Sequence, residues 1–157
     1  MKTIGMIAGN GRFPFLVAQE IKKQGDKVVA VALKEEADKD IENFCDETVW
    51  LSVGKIQKII DTFKDRNIDT AIMVGQVKHA KIYSAITMDL RALKVMTSLV
   101  NKKTDTILGA VVREFEKDGI KFLPSHIYLQ HLLAQKGLIV GRKLNSDENK
   151  DAEFGFK

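Results

Sequence analysis

Near the N-terminus a continuous apolar run breaks at two glycines and resumes with a different period, and this switch restricts the fold more than any other feature. Residues 3–8 (Thr-Ile-Gly-Met-Ile-Ala) are apolar without alternation, as a strand covered on both faces requires. Gly9-Asn10-Gly11 interrupts the run, after which Phe13, Leu16, Val17 and Ile21 recur at helical spacing. Gly25 follows at the position where a left-handed helix cap is expected.

The same alternation then repeats. Residues 27–33 form a second β-branched run, an acidic segment expected to be irregular follows, and residues 48–51 make a short third strand. Gly54 precedes Ile56, Ile59, Ile60 and Phe63 at helical spacing, and a fourth strand, residues 70–74, ends at Gly75. Beyond residue 84 the pattern is helical. Ile86, Leu90, Leu93 and Val100 are expected on one helix face, and Ile107, Leu108, Val111, Val112 and Phe115 on another. Residues 120–123 read as a fifth strand, followed by a helix carrying Tyr128, Leu129, Leu132 and Leu133.

Strands alternating with helices across short connections predict an α/β fold. Its expected form is a Rossmann-like parallel sheet of about five strands with helices on both faces. The turn Gly9–Pro14 should lie at the carboxyl end of a central strand. One domain is expected over residues 1–144. The polar stretch from Asn145 reads as a linker, and Phe154 and Phe156 as the start of a further, catalytic domain, giving 145–157 as the second unit.

With 157 residues, 45% of them hydrophobic, the chain suffices for one ordinary core. A net charge of +4 suits an anionic ligand or an anionic membrane surface. No block of like charges and no interleaving of aromatics with arginine occurs, which argues against nucleic acid as a partner. Cys45 stands alone, so no internal disulfide forms, and no apolar run approaches the ~20 residues of a membrane span. A cytoplasmic location is expected.

The turn Ile7–Pro14 is the strongest candidate site. Glycines let backbone approach phosphate oxygens, and a helix N-terminus offers unpaired N–H groups at its positive end. Gly9, Asn10, Gly11, Arg12 and Phe13 are therefore candidate ligand contacts, with Pro14 suited to the first helical turn. Gly75, Gln76 and Lys78 follow the fourth strand and would face the same crevice in an open parallel sheet. Two other interpretations stay open. The glycines could form a turn with no ligand, with Lys78 and Lys81 simply exposed. Alternatively, Gly-x-Gly-x-x-Pro is a partial dinucleotide fingerprint, with Glu35 or Glu36 placed for a ribose, which would make the chain a standalone NAD(P)- or nucleotide-binding module.

Thr104 or Asp105 is placed to cap the helix that follows. There is no Walker A sequence, no His-Glu-x-x-His, no cysteine pair and no Gly-x-Ser-x-Gly elbow. His126 and His131, five residues apart, do not share a helical face. No metal site and no complete catalytic constellation is assigned.

Taken in order, several segments resemble a known family, the two-domain UDP-2,3-diacylglucosamine pyrophosphatases of lipid A biosynthesis. They are Ile7–Pro14, Val74–Lys78, Asp89–Lys94, Lys103–Leu108 and Glu114–Gly119. Lys103-Thr104-Asp105 departs from the glycine and paired aspartates usual there, although a cap at Asp105 survives the change. The resemblance adds Arg91 and Asp105 to the candidate substrate-binding residues. It implies hydrolysis of the pyrophosphate of UDP-2,3-diacylglucosamine to UMP and 2,3-diacylglucosamine 1-phosphate (lipid X) at the cytoplasmic face of the inner membrane. It also implies a divalent metal, magnesium or manganese, in the full-length enzyme, with none held by this domain alone. The chain corresponds to the N-terminal domain, so it is expected to be inactive by itself, with its catalytic residues in the other half.

Overall fold

The computed structural model describes residues 1–77, 88–99, 104–134 and 140–155. Five strands, β1 (Thr3–Ala8), β2 (Lys27–Leu33), β3 (Glu47–Leu51), β4 (Thr70–Val74) and β5 (Lys121–Phe122), form one sheet in the order β3-β2-β1-β4-β5. Every pairing is parallel. Thr3 to Ala8 align with Lys27 to Ala32, and Gly5 to Ala8 with Ala71 to Val74. The expected α/β architecture is therefore present, and β1 is central.

Strand periodicity sorts the side chains between two cores. Ile4, Met6, Ala8, Val28, Ala30, Ala32, Ile72 and Val74 face one side, where helix α1 (Phe13–Lys23) covers them with Val17, Ala18 and Ile21. Ile7, Val29, Val31, Leu33 and Ala71 face the other. There they meet α2 (Ile56–Lys64), α3 (Leu90–Ser98) and α4 (Thr104–Lys117) through Ile59, Phe63, Val95 and Phe115. Helices thus lie on both faces. Gly25 ends α1 with φ +82°, while the Asp26 N–H donates to the Ile21 carbonyl at 3.3 Å, closing the expected left-handed cap.

Several expectations need correction. Leu16 does not join the α1 stripe and is 36% exposed; Pro14 and Ala18 complete the buried face instead. In α3, Leu90 is 86% and Leu93 45% exposed, and the helix buries Ala92 and Val95. Its phase follows from its cap. Asp89 Oδ1 accepts from Ala92 N–H, Oδ2 accepts from Gln57 N–H, and the Asp89 N–H donates to the Gly54 carbonyl. Those bonds fix the rotation of α3 against α2. Ile86 and Val100 lie outside the described residues. In α4, Ile107 and Phe115 are buried as expected, whereas Leu108 is 43% exposed.

The acidic segment after β2 is not irregular. It contains a 3₁₀ helix, Lys39–Phe44, with Asp38 accepting from the Asp40 N–H and Ile41 buried. The helix expected after β5 is likewise a 3₁₀ helix, Ile127–Leu132. It is kinked at Leu129, the one residue it buries. The segment read as a linker forms α5 (Ser146–Gly155), which buries nothing. The N-terminal turn of α5 is a capping box: Asn145 Oδ1 accepts from the Glu148 N–H, and Glu148 Oε2 accepts from the Asn145 N–H. Phe154 is exposed, and Phe156 lies outside the described residues.

Candidate functional site

Helix α1 leaves β1 toward one face and α2 enters β4 from the other, so the connections reverse direction between β1 and β4. A reversal of this kind opens a crevice at the carboxyl ends of the two strands. The Gly9–Pro14 turn lies there, at the end of the central strand.

Two loops close on each other at this point. The Gly9 N–H donates to the Val74 carbonyl at 2.8 Å. The Asn10 N–H donates to the Gln76 carbonyl at 2.8 Å, and the Gln76 N–H donates back to the Asn10 carbonyl at 2.9 Å. Asn10 and Gln76 thus form an isolated antiparallel bridge beyond the parallel sheet. The glycines permit this clasp. A Cβ on Gly9 would lie 2.5 Å from the Gln76 carbonyl oxygen, and one on Gly75 2.8 Å from the Asn10 carbonyl oxygen. Gly75 also has φ +91°.

The clasp changes the role of the glycine turn. The Asn10 amide, expected to face a ligand, is spent on Gln76. The remaining donors are at Gly11, Arg12 and Phe13, where the opening N–H groups of α1 have no intrahelical acceptor. Gly11 sits at φ +101°, and no atom of the described residues comes within 4 Å of where its Cβ would lie, so its glycine answers to backbone conformation and open space. Arg12 is exposed at the N-cap and its side chain makes no capping bond. Phe13 is half-buried against the α1-side core, and Pro14 occupies the first helical turn as expected.

The sequence candidates do not all gather here. Gly9, Asn10, Gly11, Arg12, Phe13, Gly75 and Gln76 form one locus; Lys78 lies outside the described residues. Arg91 sits in the outer helical layer. It donates to Glu114 Oε2 (3.0 Å), the Glu114 carbonyl (2.9 Å), Gln57 Oε1 (3.1 Å) and Asp118 Oδ2. Burial by itself would lower the pKa of its guanidinium, but the two carboxylates outweigh burial and raise it. These bonds make Arg91 a brace between α2, α3 and α4. Asp105 is exposed in the first turn of α4, where its charge complements the helix dipole; the capping position itself lies outside the described residues. Glu35 Oε2 accepts from the Val53 N–H at 3.3 Å, which turns it toward the loop after β3, and Glu36 is buried.

Sequence reasoning missed two features. Asp89 serves two helices at once, and the only prior signal was an acid preceding a helical stripe. The second is an apolar cavity of about 240 Å³ beneath the clasp, lined by Gly9, Gly54 and Gly75 and otherwise by hydrophobic side chains from β1, β2, β4, α2, α3, α4 and the loops between them. No local pattern encodes a cavity shared by elements so far apart in the chain.

Among the described residues, no three of His, Cys, Asp and Glu converge as metal ligands. The described donor set does not fit a divalent ion. Also among the described residues, no helix is long and apolar enough to cross a membrane.

A parallel sheet with glycine loops clasped at its central reversal defines a Rossmann-like α/β domain, of the kind that takes ligands at the carboxyl ends of its strands. More narrowly, the chain belongs to the LpxI N-terminal domain family, whose model matches residues 3–132. It is 28% identical over 140 residues to the UDP-2,3-diacylglucosamine pyrophosphatase LpxI of Caulobacter vibrioides, a match covering 87% of this chain and 49% of that protein. The chain therefore spans about half the length of this curated relative. Among solved structures, the biotin carboxylase subunit of pyruvate carboxylase is similar over 78% of this chain and 22% of its own, at 14% identity and TM-score 0.46. Glycinamide-RNase-transformylase T from Mycobacterium tuberculosis is similar over 76% of this chain and 28% of its own, at 10% identity and TM-score 0.46.

Proposed function

We propose that this domain binds the nucleotide-diphosphate end of UDP-2,3-diacylglucosamine at the clasp between the β1 and β4 loops. In this reading it is the N-terminal half of a hydrolase that releases UMP and 2,3-diacylglucosamine 1-phosphate. The observation that carries the reading is the clasp, which leaves the amides of Gly11, Arg12 and Phe13 at the positive end of α1, with Arg12 exposed beside them. An anionic pyrophosphate is the ligand chemistry such a locus favours. Family membership, and the diacylglucosamine nucleotide named for the Caulobacter relative, supply the identity of that ligand.

Hydrolysis also requires a positioned water and a cationic clamp on the phosphate oxygens. The second half of the two-domain protein supplies the essential acidic residue and holds the magnesium or manganese ion. An acylated product and a mildly basic chain both favour a reaction at the cytoplasmic surface of the inner membrane.

Arg12→Ala tests the site better than a substitution at Gly11, because φ +101° would strain any side chain there whether or not a ligand binds. Titration calorimetry of the two-domain protein with UDP-2,3-diacylglucosamine should show Arg12→Ala weakening binding by about 1 kcal/mol, roughly fivefold. The loss should shrink as salt is added. Equal affinity for both proteins at low salt would remove the clasp from the ligand site.

A further inference from the structure

The last stretch of the chain keeps its apolar residues outside. From Gln130 to Gly155 every described residue is exposed except Glu148, and none is buried. Yet of the eleven large hydrophobic residues exposed among the described ones, six lie after residue 126, with Val140 at 88% and Phe154 at 83%. Exposed apolar groups gathered in one segment mark a surface that another body covers.

A frayed tail would account for the exposure but not for the local order. Helix α5 opens with the Asn145–Glu148 capping box, Arg142 donates to both carboxylate oxygens of Glu148, and Lys150 pairs with Asp147 at 3.0 Å. Exposed bonds of this kind contribute little each. Helices shorter than ~12–15 residues are marginal in water without tertiary packing, and α5 has ten residues and buries none. It therefore needs a surface that this domain does not give it, and Phe154 in its last turn is the large apolar group such a surface would take up.

The occupant follows from where the family's domain stops. The N-terminal domain model ends at Leu132, the residue that closes the second 3₁₀ helix, and the match to the Caulobacter relative covers 49% of that protein. A second half joined covalently acts at a high effective concentration, so a small apolar surface suffices to seat it. Two separate copies would need about 1,200 Å² or more of buried surface to pair stably.

We propose that residues 133–155 fold with the second half of the two-domain protein and not with this sheet. Val140, Leu144 and Phe154 pack into that half, while Ile127 and Leu132 seat it on the first domain. The domain boundary then falls at Leu132–Leu133, ahead of the Asn145 expected from composition. This interface presupposes the two-domain protein but not the ligand placed at its clasp.

Hydrogen–deuterium exchange of the 157-residue chain and of the two-domain protein, both without substrate, tests the interface. Amides of residues 140–155 should exchange at least tenfold more slowly in the two-domain protein, and those of Thr3–Ala8 and Phe13–Lys23 at the same rate in both. Phe154→Asp and, from the other side of the contact, Leu132→Asp should each remove most of that protection in the two-domain protein. Phe154→Asp should leave the urea midpoint of the 157-residue chain unchanged, because α5 buries nothing there.

Equal exchange of residues 140–155 in both proteins would overturn the interface, whatever ligand the clasp takes. Slow exchange already present in the 157-residue chain would overturn it too, assigning the segment to a second copy if it deepens with protein concentration and to this domain if it does not. Protection that survives both substitutions would show that the apolar residues do not make the contact, and would end the proposal. Full affinity of Arg12→Ala for UDP-2,3-diacylglucosamine would remove the clasp from the ligand site without altering any of these exchange rates.

Discussion

At the scale of single residues, the two glycines of the first turn do different jobs. Gly9 is required by proximity, since a Cβ there would meet the Gln76 carbonyl oxygen at 2.5 Å, and backbone cannot swing aside as a side chain would. Gly11 is required by conformation, with φ +101° and open space around it. Gly9→Ala should therefore open the clasp and cost about 3 kcal/mol, from overpacking and the loss of its hydrogen bonds. Gly11→Ala should cost about 1 kcal/mol, from the left-handed backbone alone. Urea unfolding of the two variants measures the difference, and a larger loss at Gly11 would refute this division of labour.

Asp46 is a second residue with a defined job. The Val28 N–H donates to Asp46 Oδ2 at 2.8 Å, and Lys22 lies 3.4 Å from Oδ1. The backbone bond first, and the lysine after it, hold this carboxyl below its ordinary pKa against the opposing pull of burial. A carboxyl depressed in the folded state contributes stability that is fully present above its unfolded pKa of about 3.9, and loses it as pH falls through the folded value. Asp46→Asn should thus be less stable than wild type at pH 7, with the gap closing below about pH 4. Urea midpoints measured across pH 2.5–7 check the sign; a gap that widens toward acid would show that the carboxylate contributes nothing to the fold.

At the scale of elements, Asp89 links α2 and α3. The N-cap residue of α2, Lys55, makes no side-chain capping bond, and Asp89 supplies that function from another helix by accepting the Gln57 N–H while also capping its own helix at Ala92. Removing it leaves two helix ends and a helix–helix register unsupported. Asp89→Ala should lower stability by about 2 kcal/mol, where an ordinary cap is worth about 1. A loss no larger than that of a single cap would mean that the Gln57 bond carries no weight. Arg91 works alongside it, tying α3 to Glu114 and Asp118.

At the scale of the whole molecule, the proposed function separates binding from chemistry. The loops at the β1–β4 reversal offer amides and an exposed arginine to an anion, while among the described residues no acidic or histidine cluster stands ready to hold a metal. The 157-residue chain, incubated with UDP-2,3-diacylglucosamine and magnesium or manganese, should release no UMP above background. Clear UMP release would place the catalytic machinery within this chain and defeat the two-domain account.

The amino-acid sequence by itself determined the strands, their order of appearance and the glycine turn at the end of β1. Those features rest on local period and on residue types such as Gly9, Gly11 and Pro14, whose preferences act within a few neighbours. Helix phase was legible only where one stripe is unbroken, as at Ile56, Ile59, Ile60 and Phe63. It failed at Leu90 and Leu93, because the rotation of α3 is set by Asp89 bonding to α2, a partner 32 residues away. The helix at Ser146–Gly155 escaped notice because a helix that buries nothing leaves no hydrophobic period. Only the tertiary structure decided that Asn10 and Gln76 clasp, that Arg91 braces helices, and that an apolar cavity adjoins Gly9 and Gly75. Each depends on bringing together segments far apart in the chain, and such contacts are fixed by the packing of the whole sheet and its helices, which no single stretch of sequence contains.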